Sequence, residues 1–233
     1  MKALLTSAGL SNDSIRAACA DLLGKPIEEA SAVQIVTAMY AMDEGVAGAW
    51  AMAEYFAGLG WRELGLLELT ALPSIDEAHW WPALESADIL LVGGGVTMYL
   101  AYWFERSGLA ARLPELLEDT VYLGLSAGSL MLTPGQNHDP ERLARDGIYH
   151  DDEYDEPAPK GAGSAWGAGL VDFAIRPHLG SDDFPMADMA MMERAAAKFG
   201  GPLYALDDAS AIKVDGDRVE VVSEGTWKLL NAG

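Results

Sequence analysis

Ser126 is the residue whose sequence context most clearly indicates chemistry. It lies between Gly124 and Gly128 in the pattern Gly-x-Ser-x-Gly, directly after the apolar run Val121–Leu125. An apolar run followed by small residues predicts a buried strand that turns sharply into a helix and exposes the serine hydroxyl. The turn also directs the backbone N–H of Ala127 toward the same point, where it would stabilise an oxyanion. An ordinary strand and turn is the alternative, because the five-residue pattern alone does not exclude it.

A serine nucleophile needs a base to accept its proton and a third group to orient that base. Of the four histidines, His178 alone follows a predicted strand, and open α/β sheets place their sites at the carboxyl ends of strands. His79 lies beside two tryptophans, while His138 and His150 lie in an acidic segment, so packing or solvent exposure explains these three. We therefore predict that His178 is the base.

Two adjacent aspartates are candidates for the orienting acid. Asp207 and Asp208 follow the predicted strand Leu203–Leu206, and because adjacent residues point to opposite sides, only one of them is expected to face the histidine. An ordinary turn is the alternative interpretation of this pair. The chain order of serine, histidine and aspartate differs from that of α/β-hydrolases, in which the acid precedes the histidine.

Three consecutive glycines, 93–95, end another predicted strand one βα unit before Ser126. They indicate a sharp turn, and one of their N–H groups is also a candidate to join that of Ala127 in an oxyanion hole. The spacing matches no dinucleotide-binding loop and no Walker lysine motif occurs, so we expect no cofactor. The histidine-containing acidic clusters at 138–139 and 150–152 lack a recognised ligand spacing, and we expect no metal site.

The elements that must position these residues alternate between short apolar strands and helices. Strands are predicted at 2–6, 32–38, 64–69, 88–92, 121–125, 170–177 and 203–206, and helices at 13–23, 46–59, 75–86, 97–106, 110–117 and from Asp182 or Asp183 to Phe199. This alternation predicts a three-layer α/β fold with a mostly parallel central sheet. The runs 211–214 and 218–222 predict a C-terminal β-hairpin, and the segment 133–169, rich in Pro, Gly and Asp, predicts a long surface loop. Since no linker or repeat is visible, residues 1–233 are predicted to form one domain.

The charge of the chain restricts its partners. Fifteen basic and 36 acidic residues give a formal charge of −21, which repels phosphate backbones and anionic membranes, so we expect neither nucleic acid nor membrane as a partner. No apolar run is long enough for a signal peptide or a membrane span, which predicts a cytoplasmic location. The single cysteine, Cys19, lies in an amphipathic stretch and is expected to pack as a small apolar side chain.

Taken in chain order, the motifs resemble the peptidase E family of serine peptidases, whose fold is class I glutamine amidotransferase-like. The likeness extends over nearly the whole chain and includes Gly93-Gly94-Gly95 with Thr97, Gly124-Leu125-Ser126-Ala127-Gly128, Pro177-His178 and Leu206-Asp207-Asp208. It implies Ser126 as nucleophile, His178 as base and Asp208 as acid. It also implies an oxyanion hole made by the N–H groups of Gly95 and Ala127. The family acts on short peptides, and its members include dipeptidases that cleave after an N-terminal aspartate.

Two positions depart from the family pattern. Val96 stands where the family usually has asparagine after the triple glycine, which removes a polar group near the site. Arg176 precedes Pro177-His178, where an aspartyl dipeptidase has a smaller amide. Arg176 is a candidate substrate-binding residue for an acidic group, although the many carboxylates of this acidic chain favour a partner within the protein itself. The substrate side chain is therefore left open.

Three functions follow from this sequence. The first is a serine peptidase, monomeric or homodimeric, that hydrolyses short peptides through an acyl-enzyme. The second is a catalytically silent amidotransferase-like domain that binds a ligand or partner, with a possible aromatic patch of Trp80, Trp81, Tyr102 and Trp103. The third is a different hydrolase, either similar to cyanophycinase or an esterase of the α/β-hydrolase type.

Overall fold

The computed structural model describes residues 1–135 and 167–231. The strands are β1 (Lys2–Thr6), β2 (Ser31–Ile35), β3 (Glu63–Leu66), β4 (Ile89–Val92), β5 (Val121–Leu125), β6 (Ala174–Arg176), β7 (Leu203–Leu206), β8 (Ser210–Asp215), β9 (Arg218–Ser223) and β10 (Trp227–Leu230). The helices are α1 (Asp13–Leu23), α2 (Gly45–Ala57), α3 (Trp81–Glu85), α4 (Thr97–Arg106), α5 (Leu109–Leu116), α6 (Ala127–Leu130) and α7 (Met189–Phe199). Short 3₁₀ helices occur at Ile27–Glu29, Thr37–Ala41, Leu72–Ser74 and Glu77–His79.

A seven-stranded sheet in the order β3-β2-β4-β5-β1-β8-β9 forms the centre of the fold. The five strands from β3 to β1 are parallel, and the hairpin β8–β9 continues the sheet in the antiparallel direction. Strands β2 and β4 are buried along their whole length because helices cover both faces of a parallel sheet. The predicted α/β fold, with a mostly parallel central sheet and a C-terminal hairpin, is confirmed.

Alternate residues of the central strands belong to two separate hydrophobic cores. On one face, Leu90 and Val92 of β4 pack with apolar residues of α3 to α6. On the other face, Ile89 and Leu91 pack with apolar residues of α1 and α2. This division follows from the two-residue period of a strand, and it gives the three layers expected from the sequence.

A second sheet of three strands, in the order β10-β7-β6, was not expected from the sequence. Strands β6 and β7 are parallel, and β10 pairs with β7 in the antiparallel direction. The predicted strands 170–177 and 203–206 therefore pair with each other outside the central sheet. This small sheet carries His178 just beyond the end of β6 and Asp208 just beyond the end of β7.

Two predicted helices differ from those observed. The single helix expected at 75–86 is instead a 3₁₀ turn followed by the short α3, because Pro82 lies in the first turn, where proline is suited to begin a helix. The C-terminal helix is capped by Asp188, whose side chain accepts a hydrogen bond from Met191 N at 2.7 Å, while Asp182 and Asp183 lie in a turn. Of the predicted loop 133–169, residues 136–166 lie outside the described residues.

The aromatic residues considered as an exposed patch do not form one. Trp80 and Trp81 are buried in the core at the start of α3, and the Arg112 guanidinium lies 3.8 Å from the Trp81 ring centre. Tyr102 and Trp103 are half-buried on α4. Across the described ranges 1–135 and 167–231, none of the helices has the length and hydropathy that crossing a membrane requires.

Cys19 offers a test of the core between α1 and the central sheet. The side chain is fully buried, and burial raises the pKa of the thiol to about 12, so the reactive thiolate is nearly absent at neutral pH. We expect the native protein to react with Ellman's reagent at least about 100-fold more slowly than the protein in denaturing urea. Fast stoichiometric reaction of the native protein, measured by thionitrobenzoate release, would contradict this burial.

Candidate active site

The carboxyl ends of β5, β6 and β7 bring Ser126, His178 and Asp208 together. His178 Nε2 lies 2.9 Å from Ser126 Oγ, and His178 Nδ1 lies 2.6 Å from Asp208 Oδ1. These three side chains, separated by 52 and 30 residues along the chain, form one continuous hydrogen-bonded row. A hydroxyl, an imidazole and a carboxylate in this order are the groups that nucleophilic acyl transfer uses.

Ser126 lies on a strained turn between β5 and α6. Its φ of 50° and ψ of −113° are unusual for a residue with a side chain, and a conformation of this kind costs about 1–3 kcal/mol. The backbone holds the turn because Ser126 N donates to Thr6 O at 3.0 Å and Ser126 O accepts from Ser129 N at 2.8 Å. The hydroxyl is thereby lifted away from the sheet, as the sequence pattern predicts.

The two glycines of the pattern are required by close packing. A Cβ at Gly128 would overlap the carbonyl oxygen of Val92 in β4, and a Cβ at Gly124 would overlap the backbone of Ser129. Tyr122 Oη also donates to Gly128 O at 2.6 Å from a fully buried position. Helix α6 therefore starts directly against β4 and β5, which places the serine at the carboxyl end of β5.

His178 is buried and held on two sides. Its φ of 63° is again positive, and its backbone N–H donates to Ser7 Oγ at 2.8 Å. The ring of Phe184 stacks on the imidazole with the ring centres 3.9 Å apart and the planes 12° from parallel. These contacts hold the imidazole in the orientation in which its two nitrogens reach Ser126 Oγ and Asp208 Oδ1.

The Asp208 carboxylate accepts several hydrogen bonds. The bond from His178 lowers its pKa most, hydrogen bonds from the Ser7 and Ser181 hydroxyls lower it further, and partial burial opposes them, so that the pKa falls from 3.8 to about 2. Ser7 Oγ lies 2.8 Å from the same oxygen, Oδ1, that contacts the imidazole. Asp208 is therefore ionised at neutral pH and keeps its negative charge beside the imidazole.

The neighbouring Asp207 has a different position. Its Oδ1 accepts hydrogen bonds from Ala209 N at 3.1 Å and from Ser210 Oγ at 2.6 Å, while its Oδ2 accepts one from Thr226 N. These bonds hold the turn between β7 and β8 against the segment that leads into β10. Of the two aspartates considered from the sequence, Asp208 faces the histidine and Asp207 forms the turn.

Ser7 is a site residue that the sequence analysis missed. It follows β1, is fully buried, and its hydroxyl bonds both the His178 backbone and the Asp208 carboxylate. The residues that it contacts are 171 and 201 positions away, so no local pattern indicates its role. Ser7 could have been found as a polar residue directly after a predicted strand, which is the criterion that selected His178.

The other predicted residues lie around one cavity beside Ser126. The cavity has a volume of about 460 Å³, and Gly95, Ala127, Arg176 and His178 are among the residues that line it. Arg176 lies in β6 with 2 % of its surface exposed. Val96, at the position where the resemblance to the peptidase E family implies asparagine, is buried and precedes α4 without a side-chain cap.

Alternative site residues lie elsewhere. His79 is exposed at the end of a 3₁₀ helix, and the clusters at 138–139 and 150–152 lie outside the described residues. Within the described ranges 1–135 and 167–231, no group of three or more His, Cys, Asp and Glu side chains is arranged to hold a metal ion.

The Ser7→Ala substitution tests the buried hydrogen bonds of this site. It leaves the His178 N–H without its buried acceptor and removes one bond to Asp208, so we expect the free energy of unfolding to fall by about 1–3 kcal/mol. Ser11→Ala is the control, because the Ser11 hydroxyl bonds the Asp208 carbonyl in an exposed position and its loss should cost about 0.5 kcal/mol or less. Equal losses in urea denaturation of the two variants would contradict the prediction.

The low pKa of Asp208 predicts a pH-dependent contribution to stability. A carboxyl group whose pKa is lower in the folded protein stabilises it above the ordinary pKa of 3.8, and this contribution disappears as the pH falls toward about 2. We therefore expect the stability difference between the wild type and Asp208→Asn to be constant above that range and to shrink below it. Urea denaturation of both proteins across the acid range measures the difference, and a pH-independent value would be inconsistent with the Asp208 contacts.

Comparison with known proteins identifies the fold and the family of this chain. A crystal structure of a protein from Listeria monocytogenes EGD-e, provisionally assigned as a peptidase E, has a TM-score of 0.65 and 18% identity over 96% of this chain and 98% of that one. The crystal structure of a peptidase from an acI-B1 Actinobacterium has a TM-score of 0.58 and 18% identity over 100% of this chain and 94% of that one. These likenesses show a shared fold, and no curated protein is a significant sequence match. The sequence model of peptidase family S51 matches residues 3–222, and this chain therefore belongs to peptidase family S51.

Proposed function

We propose that this peptidase hydrolyses short peptides through an acyl-enzyme, with Ser126 as nucleophile, His178 as general base and Asp208 as the orienting acid. The observation that supports this proposal most directly is the hydrogen-bonded row from Asp208 through His178 to Ser126, which ends at a cavity. Each group has the contact that its role requires, since the base reaches the hydroxyl and the acid reaches the other ring nitrogen.

In the first half of the reaction, His178 Nε2 accepts the proton of the Ser126 hydroxyl while Oγ attacks the peptide carbonyl carbon. The carbonyl oxygen becomes an oxyanion, which the N–H groups of Gly95 and Ala127 are proposed to stabilise. Asp208 accepts a hydrogen bond from Nδ1–H, which fixes the tautomer that leaves Nε2 able to accept a proton. Its negative charge then stabilises the imidazolium.

In the second half, the imidazolium gives its proton to the leaving amine, and the peptide C–N bond breaks. A water molecule then attacks the acyl-enzyme while His178 accepts its proton. The imidazolium returns that proton to Ser126 Oγ as the ester C–O bond breaks, which releases the carboxylic acid product and restores the serine hydroxyl. No oxidant, reductant or cofactor enters this sequence. The same imidazole serves both halves, which explains why its plane is held by contacts on several sides.

The size of the cavity supports short substrates. About 460 Å³ is within the range of sites that enclose a small ligand, and it holds a dipeptide-sized group more readily than a folded chain. Arg176 in the cavity wall favours a substrate that carries a carboxylate, because a guanidinium pairs with that group through two hydrogen bonds. An N-terminal aspartate side chain and the C-terminal carboxylate of a dipeptide would both supply it.

Labelling with a fluorophosphonate probe tests the proposed roles without a known substrate. We expect the wild type to be labelled and Ser126→Ala to remain unlabelled, because the probe traps an activated serine. Asp208→Asn should be labelled at about one hundredth of the wild-type rate or below, since the imidazole loses its orienting charge. The rates are measured by gel fluorescence over time.

Asp207→Asn is the matched control, because it makes the same change one residue away at a carboxylate that contacts the turn and not the imidazole. Folded Asp207→Asn should be labelled at nearly the wild-type rate. A folded wild type that resists the probe and cleaves no peptide would instead support a catalytically silent binding domain. An equal slowing in both aspartate variants would argue against Asp208 as the acid.

A further inference from the structure

The wall of the cavity beside Ser126 is apolar where a substrate would touch it. Met39, Met42, Met52 and Leu125 line it, and all four keep part of their surface exposed. Met42 is 36% exposed, whereas Arg176, the cation in the same wall, is 2% exposed. A substrate group that enters the cavity therefore contacts thioether and hydrocarbon surface before it reaches the Arg176 side chain.

Acidic side chains are absent from the described part of this wall. The chain has 36 aspartates and glutamates, yet none of them is among the described residues that line the cavity. Among the described lining residues, a cationic substrate side chain would find no carboxylate. An anionic side chain would lose its water against the methionines, which is costly unless it reaches the buried guanidinium.

The methionines come from two consecutive elements that pack against each other and from the residue after the first, Met42. Met39 lies on the 3₁₀ helix Thr37–Ala41, and Met52 lies on α2. On α2 the cavity-lining residues follow the spacing of one helix face, namely Gly48, Ala51, Met52 and Tyr55. A Cβ at Gly48 would lie 2.5 Å from Met39 Cε, so this glycine provides the room that the Met39 thioether occupies.

Methionine walls favour apolar side chains of varied shape. The thioether side chain is unbranched and adjusts its torsions to fit its neighbours, which is why methionine is common on binding surfaces with several ligands. Apolar burial against such a wall is favourable in proportion to the area removed from water. The cavity thus suits a leucine, methionine or phenylalanine side chain better than a charged one.

We propose that this cavity is the specificity pocket of the enzyme and that it selects an uncharged, apolar side chain of the peptide substrate. The inference rests on the proposed function, because it assigns the substrate side chain to the cavity that adjoins Ser126. It gives Met39, Met42 and Met52 the role of specificity-determining residues.

The test is a panel of dipeptides, Xaa-Ala and Ala-Xaa, in which Xaa is Leu, Met, Phe, Ala, Asp or Lys. At one of the two positions, we expect kcat/KM for Leu, Met and Phe to exceed that for Ala, Asp and Lys by about tenfold or more. Release of free amine measures the rate. Preference for Asp at either position, or equal rates for all six residues, would overturn the pocket assignment.

Two variants of α2 test whether the preference for apolar side chains comes from the cavity wall. Met52→Glu places a carboxylate in the wall and should lower kcat/KM for the Leu peptide by about tenfold or more, while it narrows the gap between Leu and Lys. Trp50→Glu is the control, because Trp50 lies on the same helix, is 67% exposed and is not among the cavity-lining residues. An unchanged preference in Met52→Glu, or an equal change in Trp50→Glu, would place the selectivity elsewhere.

Fluorophosphonate labelling separates failure of the pocket from failure of the proposed function. A labelled wild type that prefers Asp peptides would overturn the pocket alone. If the wild type is neither labelled nor active, calorimetric binding of Leu-Ala and Asp-Ala to Ser126→Ala decides the question. Tighter binding of Leu-Ala would support the pocket, and tighter or equal binding of Asp-Ala would overturn it.

Discussion

The hydroxyl of Ser7 joins the two sheets at the point where the candidate triad assembles. Ser7 continues β1 of the central sheet, and it bonds the His178 backbone and the Asp208 carboxylate, which both follow strands of the smaller sheet. Because β1 pairs with β5 in parallel register, with Thr6 opposite Leu125, the residues that follow these partners, Ser7 and Ser126, lie side by side. One buried hydroxyl therefore sets the distance between groups that arrive from separate sheets, and the proposed catalysis depends on that distance.

Two of the four non-glycine residues with positive φ in the described part of the chain lie in this same place. Ser126 and His178 both have positive φ although neither is glycine, and each has a backbone N–H that is bonded by a residue at the end of β1. Such conformations persist only where the surrounding structure enforces them, and they are common at functional sites. These strained conformations orient the hydroxyl and the imidazole toward each other. They lower the stability of the fold but preorganise the contact that the proposed catalysis requires.

The parts of this structure that the sequence predicted are those that local patterns control. Strand β1, strand β5 and the turn at Ser126 are specified by apolar runs and small residues, and His178 was found because it follows a strand. The choice between Asp207 and Asp208 depends on a turn held by Thr226, which is distant in sequence, and the role of Ser7 depends on partners 171 and 201 residues away. Several nearby aspartates can cap a helix, and tertiary packing selects Asp188 as the cap of α7 over the predicted Asp182 and Asp183.

The negative charge of the whole chain and the apolar wall of the cavity both disfavour an acidic substrate. A formal charge of −21 repels an approaching anion over distances of about 8–10 Å at physiological salt, before any contact with Arg176 is made. An acidic dipeptide would thus meet an unfavourable field outside and apolar walls inside, whereas an apolar dipeptide has only its termini affected by the field. Salt weakens the electrostatic repulsion by the chain and leaves the apolar contact with the cavity wall unchanged. A preference for apolar substrates that persists at high ionic strength would therefore come from the methionine wall.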